Sequence, residues 1–203
     1  MRLVVPVSGS DPKTRLSSVL SSGERREFTE AMLADVLAAL DAAGHRPEVV
    51  ATAPVACAAP VTVDERGLDS LVNALLAETH GELAVVMADL PLLTPAAVSC
   101  LFEPDADVVL APGLGGGTNA FVSRHTGFRV DYHGASIRDH RLRAREAGAT
   151  VAEVDSRRLA TDIDEPDDLA EVLLHGDGAA ADWLRDTGFE LVVDDGRVTA
   201  ERA

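Results

Sequence analysis

The sequence predicts an α/β fold, a mainly parallel sheet covered by helices on both faces. Three observations point there. Short apolar runs alternate with segments whose apolar residues recur at helical spacing. Most of the connections between them are short. The runs Leu3-Val4-Val5-Pro6-Val7 and Leu83-Ala84-Val85-Val86-Met87 read as strands buried on both sides, as in sheets with helices on each face.

Residues 2–7 form the first expected strand, and residues 8–23 a long polar loop. From Glu24 to Ala43 the set Phe28, Met32, Leu33, Val36, Leu37 and Leu40 follows a helical stripe that Gly44 closes. Pro47–Thr52 is a second strand and Val61–Val63 a short third. A helix over Leu68–Thr79 precedes the strand at Leu83–Met87, which leads into Asp89. Thr94-Pro95 opens another helix, with threonine as N-cap and proline at the first helical position. Strands follow at Asp107–Ala111, Ala120–Ser123 and Thr150–Val154, with a helix at Ser136–Ala147 between the last two. A helix at Glu165–Leu174, a linker at Gly176–Ala180, a short helix at Asp182–Thr187 and a hairpin around Asp194-Asp195-Gly196 complete the chain. Residues 1–175 are expected to form one domain, with 176–203 a helix-and-hairpin extension of it.

Composition narrows the class of function. The formal net charge of −16 disfavours nucleic-acid binding, and no apolar run reaches the roughly 20 residues a bilayer span needs. An acidic excess with a single lysine suits a salt-rich cytoplasm. At molar salt the Debye length is about 3 Å, so surface self-repulsion is screened. Disorder is excluded because 46% of the residues are hydrophobic and fall in periodic blocks. Cys57 and Cys100 stand apart without a paired motif, so both are expected to fill the core of a protein in a reducing compartment. No signal-peptide pattern precedes the first strand.

The lone lysine is Lys13, in the loop after the first strand, beside Arg15. A compact point charge on a flexible stem suits a nucleotide phosphate, and the turn after a first β-strand is where α/β proteins bind nucleotides. Asp162-Ile163-Asp164 places two carboxylates on one face of an extended segment and the isoleucine on the other. With Asp89 they offer hard oxygen ligands suited to Mg²⁺ bound together with substrate phosphates. Gly115-Gly116-Gly117-Thr118-Asn119 supplies backbone able to nest an anion. Asp167 and Asp168 are expected to cap or flank the next helix, and His133 and His140 to lie on the surface near the site. These segments lie at or near strand ends, so four pieces distant in sequence are expected to meet in one crevice outside the carboxyl edge of the sheet.

Lys13-Thr14-Arg15-Leu16-Ser17, Ala88-Asp89-Leu90-Pro91-Leu92-Leu93, Gly116-Gly117-Thr118-Asn119-Ala120, Tyr132-His133-Gly134-Ala135-Ser136 and Asp162-Ile163-Asp164 occur in this order. Together they resemble the 2-phospho-L-lactate guanylyltransferase family of coenzyme F420 biosynthesis, over the chain to about residue 174. The resemblance implies a Rossmann-like nucleotidyltransferase fold. It implies that GTP and 2-phospho-L-lactate give lactyl-2-diphospho-5'-guanosine and pyrophosphate; some relatives use phosphoenolpyruvate. Metal-binding aspartates fall on Asp89, Asp162 and Asp164, and acceptor-binding residues on Thr118 and Ser136, with Gly117, Asn119 and Gly134 in the same motifs. The resemblance also implies a homodimer. Two positions depart from the family pattern: His133 replaces a glycine, and Gly67-Leu68-Asp69 stands for a Gly-Leu-Asn segment.

The chemistry needs no strong general base, because the acceptor phosphate is already an anionic nucleophile. Its difficulty is charge: two unit charges 4 Å apart interact by about 4 kcal/mol at an effective dielectric near 20. Lys13, Arg15, the loop amides and Mg²⁺ are expected to offset that repulsion. A molybdopterin-type nucleotidyltransferase and a nucleotide-binding regulator without catalysis are the alternatives. The first lacks its glycine-rich signature here, and the second does not explain the retention of three aspartates.

Overall fold

The structure, a computed structural model, describes all 203 residues. Its strands are β1 (Arg2–Val7), β2 (Glu48–Ala51), β3 (Val61–Val63), β4 (Leu83–Val86), β5 (Val108–Pro112), β6 (Thr118–Ser123), β7 (Val151–Glu153), β8 (Phe189–Asp194) and β9 (Arg197–Arg202). The helices are α1 (Ser22–Ala42), α2 (Leu68–Glu78), α3 (Pro95–Phe102), α4 (Ser136–Glu146), α5 (Arg157–Ala160), α6 (Leu169–His175) and α7 (Ala179–Asp186). The first seven strands make one sheet in the order β3-β2-β1-β4-β6-β5-β7. Only β6 runs against its neighbours, pairing antiparallel with β4 and β5. The expected mainly parallel sheet is present, and β6 is its one reversal.

That reversal matters for the site. Ala120 pairs with Val86, so the start of β6 lies level with the carboxyl end of β4. Thr118 and Asn119 therefore reach the same edge of the sheet as the loops after the parallel strands. The crossover order also puts β1 beside both β2 and β4. Chain connections diverge there, which is where open α/β sheets bind ligands.

Both faces are covered. Leu33, Val36 and Leu40 of α1 pack with Val98 and Leu101 of α3 on one side. Leu71, Val72 and Leu75 of α2 pack with Ile137 and Ala144 of α4 on the other. A third cluster lies on the far side of α1 and joins Leu16, Leu20, Phe28, Met32 and Ile163 to Leu184 and Phe189 of the C-terminal segment. Phe28 and Trp183 stack at 5.3 Å between ring centroids, and Asp35 accepts hydrogen bonds from the Ala179 and Ala180 amides at the start of α7. The C-terminal helix and hairpin thus rest on α1. The hairpin turns at Asp195 and Gly196, both at positive φ, as an Asp-Gly turn between twisted strands requires.

Several boundaries differ from the sequence expectation. Helix α1 begins at Ser22 rather than Glu24, because Ser21 and Glu24 form a reciprocal capping box. The loop over residues 8–23 holds a 3-10 turn at Thr14–Ser18, and the expected helix from Glu165 opens with a 3-10 turn at Pro166–Asp168. Helix α5 was not anticipated; four residues carry too little periodicity to register. Cys57 is half-buried and Cys100 exposed, so Cys100 does not fill the core as expected. No helix is long and apolar enough to cross a membrane.

Candidate active site

Lys13 arrives on a strained loop. Its φ of 52° is a left-handed value that residues other than glycine, asparagine and aspartate rarely adopt, while Asp11 before it, at 45°, is of a type that tolerates it. The loop is pinned from beneath by Arg25, a buried arginine of α1. Arg25 donates to the carbonyls of Pro12 (3.0 Å) and Leu20 (3.3 Å) and pairs with Asp11. Leu16, fully buried in the third cluster, anchors the other end. Sequence reasoning passed over Arg25, although it lies three residues before Phe28 and four before Thr29, both buried on the same stripe of α1.

The Lys13 ammonium sits between two carboxylates, 2.6 Å from Asp89 Oδ2 and 2.6 Å from Asp164 Oδ1. Burial alone would lower its pKa, but the charges of Asp89 and Asp164 outweigh that and hold it above the ordinary lysine value. For Asp164, burial pushes the pKa up, and Lys13 and Arg15 pull it below the usual carboxylate range. Arg15 is the outer cation, its side chain 65% exposed, 3.4 Å from Asp164 and 3.5 Å from Glu165.

Asp162 and Asp164 flank Ile163, whose side chain is fully buried in the third cluster. The Ile163 amide donates to the Asp89 carbonyl at 3.1 Å, which ties this segment to the end of β4. Asp168 accepts from the Asp164 and Glu165 amides at 2.9 and 2.7 Å, so it caps the turn as expected and fixes the approach of Asp164. Asp162 accepts from Asn119 Nδ2 at 2.9 Å. Its pKa is raised, chiefly by burial, with the charges of Asp89 and Asp164 adding to the bias against the Asn119 bond.

These carboxylate oxygens have the hard-donor chemistry that divalent cations prefer. Lys13 offsets one of three clustered carboxylates, and Asp89 Oδ1 is buried without any hydrogen-bond partner. A buried carboxylate oxygen left unpaired is costly unless a cation completes it. Asp89, Asp162 and Asp164 are the carboxylates expected to hold one; the group whose ligand atoms lie within 4.8 Å of one another is instead Asp69, Asp131 and the exposed His133.

A cavity of about 470 Å³ opens beside this cluster, with Lys13, Arg15, Asp89 and Asp164 along one side. Val50, Leu68 and Leu71 form an apolar wall, and Ser8, Thr52 and Arg66 add polar groups. Next to the lining residue Ser8, the Gly9 amide donates to Thr52 Oγ1 at 3.0 Å, and a Cβ there would strike the Ala53 backbone.

The remaining expected residues form a second group. Thr118 and Ser136 are buried and 3.4 Å apart, with Thr118 3% exposed. Asn119 faces the opposite side of β6, where its amide nitrogen also donates to the Leu159 carbonyl at 3.0 Å. Gly134, at positive φ, is in the exposed loop before α4. The glycine loop closes as a turn, with the Gly115 and Gly117 amides left without a partner in the chain. Gly113 donates to Gly117, Gly116 to Gly113, and Ile137 to Gly116. A side chain at Gly113 would collide with the Asn119 amide, so the loop folds over Asn119 only because Gly113 lacks one. Thr118, Asn119, Ser136 and Gly117 do not line the 470 Å³ cavity. His133 is exposed, pairing with Asp131 at 2.9 Å. His140, expected at the surface, is instead fully buried, at a position three after Ile137 and four before Ala144 on the inward face of α4.

Comparisons with known proteins bear on this geometry. The chain is 73% identical over its whole length to the 2-phospho-L-lactate guanylyltransferase of Haloarcula marismortui, covering 99% of that protein. It is 63% identical to the protein of that name from Halomicrobium mukohataei, each chain covered in full. The structure resembles a Desulfovibrio desulfuricans protein assigned as a nucleotide-diphospho-sugar transferase, with a TM-score of 0.68 at 14% identity over 92% of this chain and 96% of that one. A nucleotidyl transferase from Methanothermobacter gives 0.52 at 14% identity over 91% and 99%. At such identities these likenesses speak for the fold, a nucleotidyltransferase-like α/β architecture. The family model described as "Guanylyl transferase CofC like" matches residues 1–202, and the chain belongs to that family.

Proposed function

We propose that this chain joins GTP to 2-phospho-L-lactate, giving lactyl-2-diphospho-5'-guanosine and pyrophosphate, the guanylyl transfer of coenzyme F420 biosynthesis. The observation that carries the reading is Lys13 held between Asp89 and Asp164 at the edge of a nucleotide-sized cavity. The names of the close relatives support the choice of acceptor.

In this reading the apolar wall of Val50, Leu68 and Leu71 takes the base, and the triphosphate runs toward Lys13 and Arg15. An ammonium has three donors; Lys13 spends two on Asp89 and Asp164 and keeps one for a phosphate oxygen. Arg15, largely exposed, is free to follow the leaving pyrophosphate. An oxygen of the acceptor phosphate bonds to the α-phosphorus while the bond to the β-phosphate oxygen breaks, its electron pair leaving with pyrophosphate. No proton has to move, which suits a site with no neutral base aimed at the acceptor. Mg²⁺, when bound to Asp89, Asp162 and Asp164, supplies counter-charge to the triphosphate. Thr118 and Ser136, with the Gly117, Asn119 and Gly134 segments around them, serve the acceptor end. A homodimer accompanies the reading, and light scattering reads it directly.

Pyrophosphate release from GTP, in molar KCl with Mg²⁺, tests the assignment against a panel of phosphorylated acids. The highest kcat/KM is expected with 2-phospho-L-lactate. A preference for phosphoenolpyruvate would reassign the acceptor, and no turnover with either would overturn the proposal.

A further inference from the structure

Thr118 begins the one reversed strand, at the ligand-binding edge of the sheet, yet its hydroxyl is buried. What surrounds it decides what that hydroxyl can do. His140 lies beneath it, walled by the rings of Tyr132 and Phe128 at 5.0 and 6.1 Å between centroids, both edge-on. The imidazole makes two polar contacts. The Asp131 backbone amide lies 2.9 Å from Nε2, and Thr118 Oγ1 lies 2.9 Å from Nδ1.

A backbone N–H can only donate, so Nε2 must present its lone pair. The neutral ring then carries its proton on Nδ1 and donates it to Thr118. Burial holds the ring neutral, its pKa lowered to about 4. Thr118 Oγ1 therefore accepts from His140, and the more distant Ser136 hydroxyl approaches it at 3.4 Å. A hydroxyl has a single proton. With Oγ1 acting as acceptor toward both neighbours, that proton is left without an acceptor in the protein.

We infer that His140 is a positioning residue for the acceptor: by donating from Nδ1 it fixes the Thr118 hydroxyl as a donor toward the anionic group of the phosphorylated acid. This rests on the guanylyl-transfer reading and names a residue that reading does not use. A purely packing histidine would serve equally well as another ring. A donor-fixing histidine would not.

The test compares His140→Phe, His140→Asn and His140→Gln. Phenylalanine keeps the ring contacts and deletes both hydrogen bonds. An asparagine amide stands near the Nδ1 position, whereas glutamine reaches the Nε2 position. His140→Phe and His140→Gln should raise the KM for 2-phospho-L-lactate about tenfold, the worth of one hydrogen bond to a charged group, with the KM for GTP unchanged. His140→Asn should restore most of the difference. Thr118→Val should cost less in the His140→Phe background than in the parent, since the fixed orientation of the same hydroxyl is already lost there. Equal acceptor KM in the asparagine and glutamine variants, or a parallel rise in both substrates' KM, would overturn the inference, and this pair decides if His140→Phe does not fold. The ¹⁵N shifts of the His140 ring in the parent protein give a reading independent of turnover. They should show the proton on Nδ1, and a proton on Nε2 would overturn the inference. If the parent turns over neither acid with GTP, the functional proposal fails, while the ring shifts still decide whether His140 donates to Thr118.

Discussion

The ammonium of Lys13 and the carboxylate of Asp89 meet at 2.6 Å although 76 residues separate them. The contact joins the loop after β1 to the end of β4, neighbouring parallel strands at the point where the chain connections diverge. Asp164 closes the group from the other side, again at 2.6 Å.

Lys13→Arg should lose activity although the rest of the chain uses arginine for every other cation outside histidine. The Lys13 side chain is 10% exposed between two carboxylates, and a planar guanidinium cannot occupy the place of a compact ammonium there. Lys13→Ala should lose roughly a hundred- to a thousand-fold, mainly in kcat, as for other charged contacts that strengthen in a transition state. Steady-state kinetics on both purified variants check this. Parental turnover by Lys13→Arg would remove the lysine from the mechanism.

Asp162→Asn and Asp164→Asn should each abolish most turnover while leaving the fold intact. Each removes a hard anionic ligand from the set that also contains the unpaired Asp89 oxygen. In the parent, added Mg²⁺ should raise the thermal midpoint, because a ligand that binds only the folded state stabilises it. Both variants should show a smaller rise. Equal Mg²⁺ responses in all three proteins would count against the metal assignment.

Leu184→Ala tests the support from the C-terminal segment. Leu184 is fully buried in the cluster that holds Leu16, beside the Lys13 loop, and Ile163, between the two aspartates. Removing it should cost about 2–5 kcal/mol of stability, as other core leucine truncations do. At a temperature where the variant remains folded, its Mg²⁺ requirement should also rise. An unchanged Mg²⁺ requirement in a folded but destabilised variant would show that the cluster supports stability alone.

His140 gives a pH signature. Its pKa falls from 6.5 to about 4 on folding, chiefly through burial with help from Arg143, against the opposing charges of Asp69, Asp131 and Asp139. Above pH 6.5 the ring is neutral in both states and contributes no slope. As the pH drops toward 4, the unfolded chain binds a proton that the folded protein refuses, and stability falls by about 3 kcal/mol across that window. Denaturation of the parent and His140→Phe at constant salt should show this loss only in the parent. Parallel curves would mean that the ring titrates alike in the folded and unfolded states.

Much of this was legible in the residues. Apolar runs and helical stripes placed the seven strands of the sheet, because the runs are too short for helices and rich in valine. The Lys13, Asp89 and Asp164 junction followed from the rule that ligands gather at the carboxyl ends of strands. The reversal of β6 was not legible, since strand direction depends on pairing partners and not on the strand's own composition. Arg25 and His140 were missed for a different reason. Both are polar residues at buried helical positions, where polarity and spacing point opposite ways; Ile137, His140 and Ala144 mark one face of α4. The glycine run foretells free amides, as at Gly115 and Gly117, but not the closure of the turn over Asn119, a tertiary fit that composition does not encode.

The most direct measurement follows the α-phosphorus itself. GTP labelled at that position would be incubated with 2-phospho-L-lactate, Mg²⁺ and the parent protein in molar KCl. The account predicts that the label passes into a single new diphosphate product containing guanosine and lactate, with one pyrophosphate released for each product formed. Label appearing in GDP with release of orthophosphate would place the attack at the γ-phosphorus and contradict it.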